Sequence, residues 1–139
     1  MQLQKSTDLV YAIRILHYLH ACKDGTSTAQ RISDAVCMPD SQFTKIADQL
    51  KAKGLITSVQ GQYEGYQIAK SAHRVTVYDV FLAIEGELCL NHCLKEESAC
   101  NRNVVSCDVQ GYFESVQDAL VKVLSEKYIV TFDMAWQLT

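Results

Sequence analysis

The sequence predicts a mainly α-helical fold with one small β-hairpin, and three observations carry that expectation. Apolar residues recur at helical spacing in residues 7–21, 40–50 and 110–127. A glycine-punctuated stretch rich in strand formers, LITSVQGQYEGYQIAK, stands among them at 55–70. The order is helix, helix, hairpin, then a long final helix, which is the order of a winged helix-turn-helix followed by a C-terminal dimerisation helix.

The first helix is expected over TDLVYAIRILHYLHA. Leu9, Ile13, Leu16 and His20 share one stripe, and Val10, Ala12, Ile15 and Leu19 lie beside it, so most of its girth is apolar and it should be largely buried. After the turn KDG, Ser27 can cap a second helix with Gln30 at the capping-box spacing, and that helix runs through Ile32 to about Val36 before Pro39. A third helix begins near Asp40 and presents Phe43, Ile46, Ala47 and Leu50 to the core. Gly54 can close it in the left-handed conformation.

Beyond the hairpin, Thr76 and Asp79 form another capping-box spacing ahead of VYDVFLAIEG, whose helix closes at Gly86. From Gln110 onward Phe113, Val116, Leu120, Val123 and Lys127, with Tyr112, Ala119 and Leu124 alongside, make an amphipathic helix of about five turns. A second copy of the chain is the expected cover for its stripe, because paired heads match paired DNA half-sites. The expected organisation is therefore a DNA-binding domain over 1–86, a cysteine-rich loop over 87–109, and a dimerisation helix with a tail over 110–139.

Composition sets limits on class. A chain of 139 residues with 48% hydrophobic content can bury a core without disulfide staples. No run of small residues ends a secretory signal near the N-terminus, and Arg14 and His17 interrupt the apolar stretch there, so a cytoplasmic protein with no membrane partner is expected. Net charge is −3, unevenly divided. Residues 1–74 carry 9 Lys and Arg against 6 Asp and Glu, and residues 75–139 carry 4 against 10. A basic front half suits contact with phosphates.

The polar face of the third helix carries Ser41, Gln42, Thr44, Lys45, Asp48 and Lys51, which mixes groups able to read base edges with lysines that seek phosphate. With the hairpin residues Gln60, Gln62 and Tyr66, the residues Ser41, Gln42, Thr44, Lys45 and Lys51 form the candidate DNA-contacting set, and a double-stranded operator is the expected partner. A solvated surface helix would look similar. No glycine-rich phosphate loop, serine elbow or His-Glu-x-x-His element occurs, so an enzyme is not expected. A module that binds something other than DNA stays open.

Cys93, Cys100 and Cys107 are separated by six residues each time within CLKEESACNRNVVSC, a polar stretch without helical or strand periodicity. In a reducing compartment, evenly spaced thiols are better explained by a shared metal or cluster than by disulfides. Iron–sulfur clusters require such soft ligands. Zinc is the competing metal, although no Cys-x-x-Cys pair occurs, and direct oxidation of a thiol is the third possibility. Cys22 and Cys37 sit beside apolar helical residues and are expected to be buried as small hydrophobes.

The chain resembles the Rrf2 family of bacterial transcription regulators, the group that holds iron–sulfur and nitric-oxide-sensing repressors. The resemblance rests on TDLVYAIRILHYLH, SQFTKIADQLKAKGLI, GQYEGYQIAK, VTVYDVFLAIEG and the three-cysteine loop before the long helix, in that order. It implies a winged-helix homodimer with crossed C-terminal helices. It also implies a repressor whose operator affinity is controlled by an iron–sulfur cluster, 2Fe-2S or 4Fe-4S, held by the three loop cysteines and sensing nitric oxide, redox or cluster status. A thiol-based redox-sensing regulator of the same family is the alternative. Asp8 falls where the nitric-oxide-sensing branch supplies a carboxylate ligand from the partner subunit, although an aspartate in a first helical turn is commonly there to favour the helix dipole. His92 and Cys89 are the other candidates for a fourth ligand.

Three departures from the family pattern stand out. Gln60 and Gln62 flank Gly61 where family wings carry a basic residue, and Glu64-Gly65-Tyr66 replaces Gly-Gly-Tyr. The cysteine spacing is slightly longer than the common one. Gln110 stands where one iron–sulfur branch has a histidine.

Overall fold

The computed structural model of the protein describes residues 6–60, 65–69, 72–86 and 108–136. The elements run α1 (Ser6–Ala21), β1 (Thr26–Thr28), α2 (Ala29–Val36), α3 (Asp40–Ala52), β2 (Ile56–Val59), β3 (Gly65–Ile68), α4 (Val77–Glu85) and α5 (Asp108–Glu126). This is a winged helix-turn-helix body with a long helix attached, mostly helical as the periodicities require.

Ala12 and the run Ile15, Leu16, His17, Tyr18 and Leu19 of α1 are all buried. Five consecutive buried residues mean that neighbours cover the helix on every side. Val10 and His20 fall outside that cover and are exposed. Around α1 gather Ile32 and Val36 of α2, Phe43, Ile46, Ala47 and Leu50 of α3, Ile56 of β2, and Val80, Ala83 and Ile84 of α4.

The cap of α2 is Thr28, whose hydroxyl accepts from the backbone N–H of Arg31 at 3.2 Å, and Ser27 lies instead in β1. The helix ends at Val36 as expected, and the departure lies in the residue that follows. Cys37 adopts the left-handed conformation (φ 57°), its N–H bonds Asp34 O, and Met38 N bonds Ser33 O at 3.1 Å. This double closure sends Met38 back into the core and leaves Cys37 exposed, so the expected burial of Cys37 is corrected. Cys22 is partly buried against the core.

The same double closure ends α3, with Gly54 N on Lys51 O and Leu55 N on Leu50 O, both at 3.0 Å. Gly54 sits at φ +75° with open space around it, so its freedom of φ is what the turn uses. In α4, Thr76 and Asp79 make the reciprocal capping box, at 3.2 and 3.0 Å.

The hairpin is joined by a third strand, giving the antiparallel order β1-β3-β2. Ile56 faces Ile68 and Val59 faces Gly65 on one side, while Thr28 faces Gly65 on the other. A Cβ at position 65 would overlap the backbone of Ser27, so Gly65 is there for close approach of two strands.

The helix α5 begins at Asp108, two residues before the expected start, and none of its residues is buried. After it the chain folds back onto the body. Val77 N bonds Lys127 O and Ile129 N bonds Val75 O, each at 2.9 Å, and Ile129 enters the main core at 1% exposure. His17, buried in α1, uses both ring nitrogens on this segment: Nε2 donates to Phe132 O and Nδ1 accepts from the indole N–H of Trp136, both at 2.8 Å. The indole can only donate, so the proton of this imidazole stands on Nε2. Among the described residues no helix is long and apolar enough to cross a membrane.

Candidate nucleic-acid interface

The apolar side of α3 is fixed in the core by Phe43, Ile46, Ala47 and Leu50, which turns the intervening positions outward. Ser41, Thr44, Lys45 and Lys51 are exposed and Gln42 is partly so. The Thr44 hydroxyl donates to Asp40 O within the helix at 3.0 Å, so a rotamer change is needed before it can donate to a base.

Asp8, in the first turn of α1, lies against this face. Its Oδ1 accepts from Gln42 Nε2 at 2.9 Å, across 34 positions of sequence, and its Oδ2 lies 3.7 Å from Lys45 Nζ. The carboxylate side chain is 18% exposed and the lysine 66%. Water screens the ion pair at that exposure and it adds little to stability. The amide contact is the stronger one, since a charged acceptor shortens and strengthens such bonds. The sequence placed Asp8 among ligand candidates and Gln42 and Lys45 among DNA contacts, and the structure brings these two sets together.

The wing meets the same helix through Tyr66. Its ring stands edge-on to Phe43 with centroids 5.6 Å apart, which couples β3 to α3. Burial pushes the Tyr66 phenol above its ordinary range, and the nearby Asp48 carboxylate adds to that. Gln60 is exposed at the end of β2. Gln62 lies outside the described residues, as do Cys89, His92, Cys93, Cys100 and Cys107. Of the candidate ligands only Asp8 is described.

No sequence signal marks the Asp8 contacts, because no periodicity links a first-turn carboxylate to a helix 34 residues away. Nor was β1 visible: three residues, TST, are too short and too polar to read as a strand.

A family model described as Rrf2, iron-dependent transcriptional regulator, matches residues 5–132. The chain belongs to the Rrf2 family. Among Rrf2 relatives, an HTH-type transcriptional regulator NsrR of Shouchella clausii is 30% identical over 132 residues, covering 94% of this chain and 86% of that protein. An NsrR of Halalkalibacterium halodurans is 29% identical over 128 residues, covering 91% and 86%. The crystal structure of Staphylococcus aureus CymR in an oxidised form superposes with a TM-score of 0.69 at 20% identity, covering 97% of this chain and all of that one. That likeness establishes the Rrf2 winged-helix fold for this chain. Membership makes the protein a DNA-binding transcriptional regulator and not an enzyme.

Proposed function

We propose that this Rrf2 regulator is a homodimeric repressor whose operator affinity is set by an iron–sulfur cluster held by Cys93, Cys100, Cys107 and, from the partner subunit, Asp8. The signal is nitric oxide, redox state or cluster supply. The observation that carries this reading is the contact of Asp8 with Gln42 and Lys45, because a candidate ligand there touches two side chains of the DNA-reading face. The family's iron-dependent description and the NsrR relatives support it.

The donor set fits such a group. Three thiolates supply soft ligands, and Asp8 is a partly exposed carboxylate whose Oδ2 holds only a long contact with Lys45. When bound, the cluster would supply a centre reactive toward oxidants and nitric oxide. As a ligand, Asp8 would have less of its charge to offer Lys45, leaving that lysine freer for phosphate. Loss of the ligand role would return that charge to Lys45, so the reading face differs between the two states. Such a difference in contacts is what a population shift requires.

Dimerisation is supported by α5, where Val109, Tyr112 and Val123 are 62%, 64% and 62% exposed and Phe113 and Val116 add to the same apolar surface. An apolar surface on a long helix needs a cover. A second copy supplies one while pairing two heads at half-site spacing.

The test is to purify the protein without oxygen, assay iron and sulfide beside Cys100→Ala, and measure binding to duplexes selected from a random pool before and after nitric oxide. Iron-bearing wild type, a depleted variant and a nitric-oxide-dependent change in affinity are expected. Iron-free protein whose binding ignores nitric oxide overturns the reading. Iron-free protein that responds to peroxide instead establishes thiol chemistry in its place.

A further inference from the structure

The contact between Asp8 and Gln42 has a meaning for base selection that needs no cofactor. A glutamine amide has two chemically opposite ends, and a free one flips to present either an acceptor or a donor. Gln42 is not free. Its nitrogen lies 2.9 Å from Asp8 Oδ1, and a carboxylate accepts but does not donate, so the nitrogen end is committed to that side. What remains for a ligand is Oε1 together with the second N–H, in a fixed orientation.

We propose that Asp8 is a positioning residue for base readout: it fixes the Gln42 amide so that each recognition helix selects an A·T pair at one position of its half-site. The proposal rests on α3 entering the major groove. Adenine offers there an N6 donor beside the N7 acceptor, which matches an oxygen and an N–H presented side by side. Guanine offers two acceptors, N7 and O6, and would set one of them against Oε1. Lys45, 3.7 Å from the other oxygen of Asp8, offsets a negative charge that would otherwise oppose approach to phosphates.

Removing Asp8 therefore acts in two opposite directions. Discrimination at the Gln42 position falls, because the amide is free to flip. Affinity for unrelated duplex holds or rises, because a negative charge leaves the face and Lys45 is released. Structural damage would lower both.

The experiment uses the full-length protein, prepared without oxygen and again after iron is removed by chelation so that loss of a ligand at Asp8 is told apart from release of Gln42, as wild type, Asp8→Ala, Asp8→Asn, Gln42→Ala and the Asp8→Ala/Gln42→Ala double variant. Each is bound to a random duplex pool, the bound sequences are read, and affinity for the preferred and a random duplex is measured at two salt concentrations with the thermal midpoint alongside. Wild type should prefer A·T over G·C at one position per half-site by about fivefold or more, the discrimination given by a bidentate contact. Gln42→Ala should abolish that preference, and Asp8→Ala and Asp8→Asn should reduce it severalfold at that position alone. The double variant should match Gln42→Ala. Asp8 variants that keep the full preference, or that lose random-duplex affinity and thermal midpoint together with it, overturn the positioning role. A pool unchanged by Gln42→Ala, or no enrichment by any form, removes the reading of α3 itself and the proposal with it.

Discussion

Trp136 donates its indole N–H to Nδ1 of His17 at 2.8 Å, across 119 positions of sequence. The same indole stands edge-on to Tyr18 with centroids 5.4 Å apart. Trp136→Phe keeps a ring there and leaves a buried imidazole nitrogen without its donor, which costs about 1–3 kcal/mol. The thermal midpoint should fall by several degrees. Because Trp136 is the sole tryptophan of the chain, its fluorescence should shift to the red on unfolding, together with circular dichroism. A midpoint unchanged in Trp136→Phe would show that the contact contributes nothing.

Thr28, and not Ser27, caps α2. Thr28→Ala should cost about 1 kcal/mol, the usual loss for a capping hydroxyl, as read by chemical denaturation.

Gly54 and Gly65 separate two causes of glycine use. Gly54→Ala meets open space and carries only the left-handed penalty, about 1–2 kcal/mol. Gly65→Ala meets the backbone of Ser27 and must push β1 from β3, so the larger loss of stability is expected there. Equal losses would contradict the sheet order.

Among the described residues, Tyr18 and Tyr66 have phenols raised above the ordinary 10.0, in both cases chiefly by burial. Their folded values exceed their unfolded ones, so the stability they contribute is fully present below pH 10 and is lost as pH climbs through the raised values. Ultraviolet titration should show part of the tyrosine signal ionising late. Denaturation should become easier above pH 10, and Tyr66→Phe should flatten part of that slope.

Val123 is 62% exposed within one chain. If α5 is the dimer contact, Val123→Glu should leave the fold and its thermal midpoint nearly unchanged in monomeric form. Sedimentation should show the monomer, and operator affinity should fall by well over tenfold as the paired half-site contact is lost. A dimer that survives the charge would move the interface elsewhere.

Where side-chain periodicity or cap chemistry decides structure, the sequence was legible. Phe43, Ile46, Ala47 and Leu50 point inward at their three- and four-residue spacing, and Thr76 with Asp79 closes its box as the spacing requires. What escaped depended on neighbours distant along the chain. Cys37 looked apolar in context, yet it occupies the one left-handed position at the end of α2, and Met38 took the core place. Gly65 reads from sequence only as one glycine of the hairpin stretch, but its need comes from β1, nearly forty residues upstream. Of the candidate site, the polar row of α3 could be read from spacing. Its contact with Asp8 could not, because only tertiary packing sets those two helices side by side.

The return of the chain after α5 fixes one end of that helix. Nineteen residues form a rod of roughly 28 Å at 1.5 Å per residue. Its outgoing end is pinned by Ile129 in the core and by Phe132 and Trp136 on His17. The far end of the rod is thus moored to α1, the same helix that carries Asp8 in its first turn.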